Sequence, residues 1–140
     1  MEKKLFDKSQ FLTDEPRYIF ACFINELISE NYEKAMEFTQ LTWRDTTKDA
    51  LNWLYQYFGS VNIVECVYIK HSDMRKNKAL DKRVWRDVVF LLHIVMPDNI
   101  LIKQKMSARL CKEDGSRSTS IYGRWGVNPL SATKKIERIY

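Results

Sequence analysis

Residues 90–106, "FLLHIVMPDNILIKQKM", hold an apolar run, a Pro-Asp-Asn break, and a second run in which apolar residues alternate with Lys and Gln. β-branched and aromatic residues on either side of a short Pro/Asp/Asn segment read as two antiparallel strands and their loop. With Pro97-Asp98-Asn99 as a three-residue loop, Asn99 takes the left-handed position. Met96 then pairs with Ile100, Ile94 with Ile102, Leu92 with Gln104 and Phe90 with Met106. Side chains alternate along a strand, so this register gathers one almost wholly apolar face. The opposite face carries Val89, Leu91, His93 and Val95 beside Lys103, Lys105 and Arg109. A two-residue loop would swap the faces of one strand; the three-residue loop is the preferred reading.

Working outward, residues 61–69 read as an earlier strand, 84–96 and 100–111 as the central pair, and 118–127 as the last. Glu113-Asp-Gly-Ser116 offers Asp-Gly, the pair favoured in a two-residue turn. The final stretch, "IYGRWGVNPL" from Ile121 to Leu130, ends at Asn128-Pro129 because proline cannot donate to a ladder. If Asp114-Gly115 is the turn, Ile121, Gly123, Trp125 and Val127 face inward. A three-residue turn would instead send Tyr122 and Arg124 inward beside Gln104. Residues 133–140 suit a final short helix or strand.

Upstream the period changes to that of a helix. Thr13-Asp-Glu-Pro16 supplies a cap candidate, acids for the positive end of the helix dipole, and a proline for the first turn. Ile19, Phe20, Phe23, Ile24, Leu27 and Ile28 then form an apolar stripe. Glu30-Asn31 interrupts it, giving two short helices or one bent near Asn31. A further helix, capped by Thr46 or Thr47, presents Ala50, Leu51, Trp53, Leu54, Tyr57 and Phe58 and stops at Gly59. The order predicts an α+β domain: three N-terminal helices packed on a curved four-stranded antiparallel meander. One domain spans residues 1–140, with an arm at 1–12, helices at 13–59, the sheet at 61–127 and a tail at 128–140.

Composition adds limits. The chain has 140 residues, 45% hydrophobic and 29% charged, an ordinary folded composition. No apolar run has the length of a signal peptide or membrane span, so we expect a soluble, cytoplasmic protein or a soluble piece of a longer one. Cys22, Cys66 and Cys111 have no close pair, which speaks against a disulfide framework or zinc site and for buried thiols. The net charge of +5 resides in residues 70–86, where Lys70, Arg75, Lys76, Lys78, Lys82, Arg83 and Arg86 face only two acids. This basic stretch reads as a solvated loop with a flexible tip at 76–78, or as a patch for phosphates of nucleic acid or acidic lipids.

The element order resembles the NTF2-like superfamily, a cone of helices packed into a curved antiparallel sheet. "FINELISENYEKAMEFTQLTWR" resembles its opening helices and "GRWGVN" its last core strand. A strand or hairpin that often separates its second and third helices has no room in residues 41–47. That departure brings in a second, weaker resemblance, to the soluble domain of the inner-membrane assembly factor of type IV secretion systems. Its Asn-Pro-x-Gly motif is matched by Asn128-Pro129-Leu130, with Ser131 in place of the glycine, and it points to a mobile-element or conjugation protein.

The NTF2-like resemblance implies a pocket between helices and sheet, for which Trp43, Tyr57, Gln104 and Trp125 are the candidate lining. Such an enzyme needs an acid, base or tyrosine inside the cone. Asp87 and His93 share a face but stand roughly 20 Å apart along a strand, so they form no dyad. No catalytic residue, metal ligand set or cofactor motif is assigned. The favoured reading is a non-enzymatic interaction domain, a homodimer through the outer face around Val89, Leu91, His93 and Val95. A small-molecule binder or enzyme and a nucleic-acid module stand behind it.

Overall fold

The computed structural model describes residues 2–59, 62–72, 75–76, 84–112, 125–129 and 137–139; for residues 75, 76, 84 and 137–139 it describes the backbone. Helices come first in the chain. α1 (Pro16–Ile28) starts at its proline, whose fixed φ and missing N–H suit a first turn. Glu15 is the residue before it, yet its carboxylate goes to Arg17 instead of capping the helix. α1 buries Phe20, Phe23, Ile24, Leu27 and Ile28, the stripe read from the sequence.

The break at Glu30-Asn31 separates two helices. Glu30 adopts φ 58°, and Asn31 caps α2 (Tyr32–Met36) by accepting the Lys34 N–H at 3.3 Å. Two features depart from expectation. Residues 41–46, read as a connection, form α3 (Leu41–Thr46), so the described residues hold four α-helices. The cap of α4 (Ala50–Phe58) is Asp49, not Thr46 or Thr47. Thr46 is the last residue of α3, and its hydroxyl donates to the Thr42 carbonyl at 2.8 Å. Asp49, in the left-handed region at φ 50°, accepts the Asn52 N–H at 3.3 Å.

The strands are β1 (Asn62–His71), β2 (Arg75–Lys76), β3 (Val84–Val95), β4 (Leu101–Lys112), β5 (Trp125–Asn128) and β6 (Glu137–Ile139). They form an antiparallel sheet ordered β1-β3-β4-β5, with β2 on β3 and β6 on β4. The β3–β4 register is the one read from residues 90–106: Phe90 opposite Met106, Leu92 opposite Gln104, Ile94 opposite Ile102. Asn99 takes φ 66°, its N–H donates to the Met96 carbonyl at 2.9 Å, and Met96 N–H closes the loop on the Ile100 carbonyl at 2.9 Å. β6 meets the strand alternative for the tail, placing Arg138 opposite Gln104.

The core lies between α1, α4 and the inner sheet face. Phe20 meets Phe90 at 4.8 Å and Phe23 meets Phe58 at 6.1 Å. Leu54, Val88, Met106, Leu110 and Val127 are fully enclosed with them.

At the described start of β5, Trp125 lies opposite Lys112. The Asp114-Gly115 turn and the stretch from Ile121 to Arg124, including the Tyr122 and Arg124 alternative, lie outside the described residues. Trp125 and Val127 are buried as expected of inward-facing positions. The free edge of β5 is met by the chain after α2: Val127 N–H donates to Phe38 O at 2.9 Å and Gln40 N–H to Val127 O at 2.7 Å. Gly126 permits this approach, since a Cβ there would stand 2.6 Å from the Gln40 Cα.

The N-terminal arm is tied down. Asn25 holds the Phe6 backbone at both ends, accepting its N–H at 2.8 Å and donating to its carbonyl at 3.0 Å. Lys4 N–H reaches Val64 O at 2.7 Å. The Phe6 ring packs on Phe90 and the Phe11 ring on Tyr68, each at 5.3 Å.

Candidate functional site

The outer sheet face is built from every second residue of three strands. Rows across it read Glu65–His93–Lys103, then Val67–Leu91–Lys105, then Lys70–Val89–Ser107. Val89, Leu91, His93 and Val95 are all half-buried and share this face, as read from the sequence. Val67 and Leu101 expose 44% and 40% of their surface beside them. The face is thus apolar along its centre and charged at its margins.

Several of its ionisable groups are paired. His93 Nδ1 lies 3.4 Å from Glu65 Oε2, and Lys4 approaches the same carboxylate at 3.9 Å. Asp87 is engaged by Arg109 at 3.1 Å, and the Arg109 guanidinium stacks 3.7 Å from the Trp85 ring. Asp87 and His93 therefore serve separate partners. Glu65 was the missed member: only the β1–β3 register, shifted by irregularities after Ile63 and Tyr68, brings it opposite His93. A cavity of about 450 Å³ opens beside this row, where Lys3 and Lys4 of the arm face Val64, Glu65, His93 and Leu101.

Of the residues proposed to line a pocket, Trp43 and Trp125 are buried and Tyr57 and Gln104 half-buried. Trp43 is buried and meets Trp53 at 5.5 Å; Trp53 stacks on Tyr57 at 5.2 Å. Burial raises the Tyr57 phenol above its ordinary range. Trp125 is buried in the same cluster. Gln104 is half-buried on the inner face, between Leu92 and Arg138 in the ladder. The rings of Trp43 and Tyr57 spend their surface on each other's neighbours in the helical layer.

The basic stretch is divided. Lys70 belongs to β1. Arg75 and Lys76 form β2, paired with Trp85 and Val84, so Lys76 is part of a ladder instead of a flexible tip. Lys78, Lys82 and Arg83 lie outside the described residues. Arg86, opposite Leu110, points to the inner face.

All three cysteines are buried thiols outside any disulfide. Burial, helped by the negative charge of Glu65, pushes the Cys66 thiol up to about 12. Burial also raises Cys22, against the pull of Lys8. Among the described residues no group of His, Cys, Asp and Glu is placed to share a metal ion, and no helix is long and apolar enough to cross a membrane. Comparison with family models, curated proteins and solved structures finds no match to this chain.

Proposed function

We propose that the chain is a non-enzymatic interaction domain of NTF2-like build that acts as a homodimer through its outer sheet face. The observation that carries this reading is the charge layout of that face. In the row Glu65–His93–Lys103 the acid stands on β1 and the base on β4, with the central strand between them.

A two-fold axis running parallel to β3 lays β1 of one copy over β4 of the other. Glu65 then meets the second copy's Lys103 twice over, Val67 meets the Lys105 stem, and Leu91 and Val95 close on their own counterparts. An axis across the strands would instead set the two lysine columns against each other. Self-complementarity of this kind is what an isologous contact requires, and aligned packing of two sheets keeps their strands within about 30°. The half-buried apolar centre supplies the driving force, and the Lys103 and Lys105 stems cover its rim.

Phe20, Phe90, Met106 and Leu110 enclose the centre of the inner face, which leaves the outer face as the surface on which the reading rests. Sedimentation velocity over a concentration series tests the reading. We expect a dimer that Leu91→Asp converts to monomer; a wild-type chain that stays monomeric at several hundred micromolar would refute it.

A further inference from the structure

Arg86 stands on the inner face of the sheet, opposite the enclosed Leu110 and two residues before the enclosed Val88. Its Nη1 donates to His71 Nδ1 at 3.2 Å, a contact that requires that imidazole nitrogen to be unprotonated. Its Nε is buried and meets no hydrogen-bond partner among the described residues. Arg17 and Arg109, by contrast, each hold a carboxylate, from Glu15 and Asp87. Arg86 as a whole is half-buried, and a guanidinium partly withdrawn from water is costly unless an anion and further acceptors compensate it; an imidazole nitrogen supplies no charge.

The surroundings extend the same character. His71 lies edge-on to the Tyr68 ring at 6.4 Å, and the Arg17 guanidinium lies over the same ring, 5.6 Å from its centroid. Among the described residues the acid of this corner is Glu15, already engaged by Arg17. Among those residues, two arginines and a histidine thus gather near one carboxylate.

We propose that this corner is a subsite for a small oxyanion group, the phosphate or carboxylate of a ligand, with Arg86 as its principal contact. A guanidinium offers a planar fork of donors that matches either group, and the buried Nε of Arg86 is a donor of that fork still without an acceptor among the described residues. His71 holds the fork in place by accepting from Nη1. The subsite lies on the opposite side of the sheet from Leu91, so it stands or falls independently of dimer formation.

The test is a titration of the isotope-labelled protein with inorganic phosphate and, separately, with succinate, at fixed ionic strength, followed by amide and arginine Nε–H shifts. At least one probe is expected to saturate, with shifts at Arg86, His71 and Leu110; saturation by phosphate or by succinate identifies which group the site takes. Arg86→Gln should weaken that binding at least tenfold, and Arg86→Lys, which keeps the charge and loses the fork, at least fivefold. Lys76→Gln, in the neighbouring β2, should change it less than twofold. Absence of saturation with both probes, unchanged affinity in Arg86→Lys, or an equal loss in Lys76→Gln would overturn the proposal. Should Arg86→Gln not fold, the lysine variant decides.

Discussion

Leu91 and Leu92 are adjacent in β3 and face opposite ways: Leu92 is 2% exposed against the helices, while Leu91 sits half-buried on the outer face between Val67 and Lys105. A single step along the strand thus separates a core position from a surface one. Leu92→Ala should lower unfolding free energy by about 2–5 kcal/mol, the range for truncating an enclosed leucine. Leu91→Ser should cost the isolated domain under about 1 kcal/mol. Urea unfolding at low protein concentration measures both. Equal losses at the two positions would show that the outer face is packed as tightly as the inner.

Gly126 makes a second, sharper demand. A methyl group there would lie 2.6 Å from the Gln40 Cα and 2.8 Å from its nitrogen, and both are backbone atoms that cannot swing aside. Gly126→Ala should therefore cost about 1–3 kcal/mol, as overpacking does. Hydrogen exchange should show faster opening at Gln40 and Val127, whose N–H groups tie this edge together. Unchanged exchange at those two amides would contradict the close approach.

How much of this was legible in the sequence depended on the range of the interaction. The β3–β4 register could be read because a local loop sets it: Asn99 accepts a left-handed conformation, and the apolar alternation on each side favours the three-residue loop over the two-residue one. The stripe of α1 was legible for the same reason. The link between Gln40 and Val127 was not, because it joins residues far apart in sequence through backbone atoms that carry no residue-type signal. Glu65 escaped notice because two irregularities in β1 displace it from the simple count. Asp49 escaped although aspartate caps at least as well as threonine, because it does so from a left-handed conformation that its residue type does not announce, and α3 takes up Thr46.

Cys66 offers a chemical check on burial. With its thiol pushed up to about 12, the native protein carries far less thiolate than the unfolded chain, about a thousandfold less if the unfolded thiol titrates near 9. Alkylation of Cys66 by iodoacetamide at pH 8 should be slow in the native state and fast in urea, as mass mapping of the modified peptide would show. Native labelling at the unfolded rate would contradict the assignment of Cys66 to the core.

Glu15 gives a pH dependence with a definite sign. Burial pushes its carboxyl up, but the hydrogen bond and charge of Arg17 outweigh that and leave it below the ordinary range. A depressed carboxyl stabilises the fold when ionised. Its contribution is complete above the unfolded value of about 4.3 and fades as pH falls through the lower folded value. The stability gap between wild type and Glu15→Gln should be constant from pH 7 to 5 and shrink below about 4.5. Urea midpoints at pH 3, 5 and 7 provide the measurement; a gap that widens on acidification would reverse the sign.

The central claim is the two-fold contact of the outer faces, and charge reversal across it is the most direct measurement. Sedimentation equilibrium of Glu65→Lys, Lys103→Glu and the double variant compares their self-association with that of the wild type. Each single variant sets like charges against each other at two symmetric places and should weaken the dimer at least tenfold. The double variant, which restores opposite charges, should recover most of the loss. Singles that associate as tightly as the wild type, or a double no better than either single, would contradict the proposed dimer.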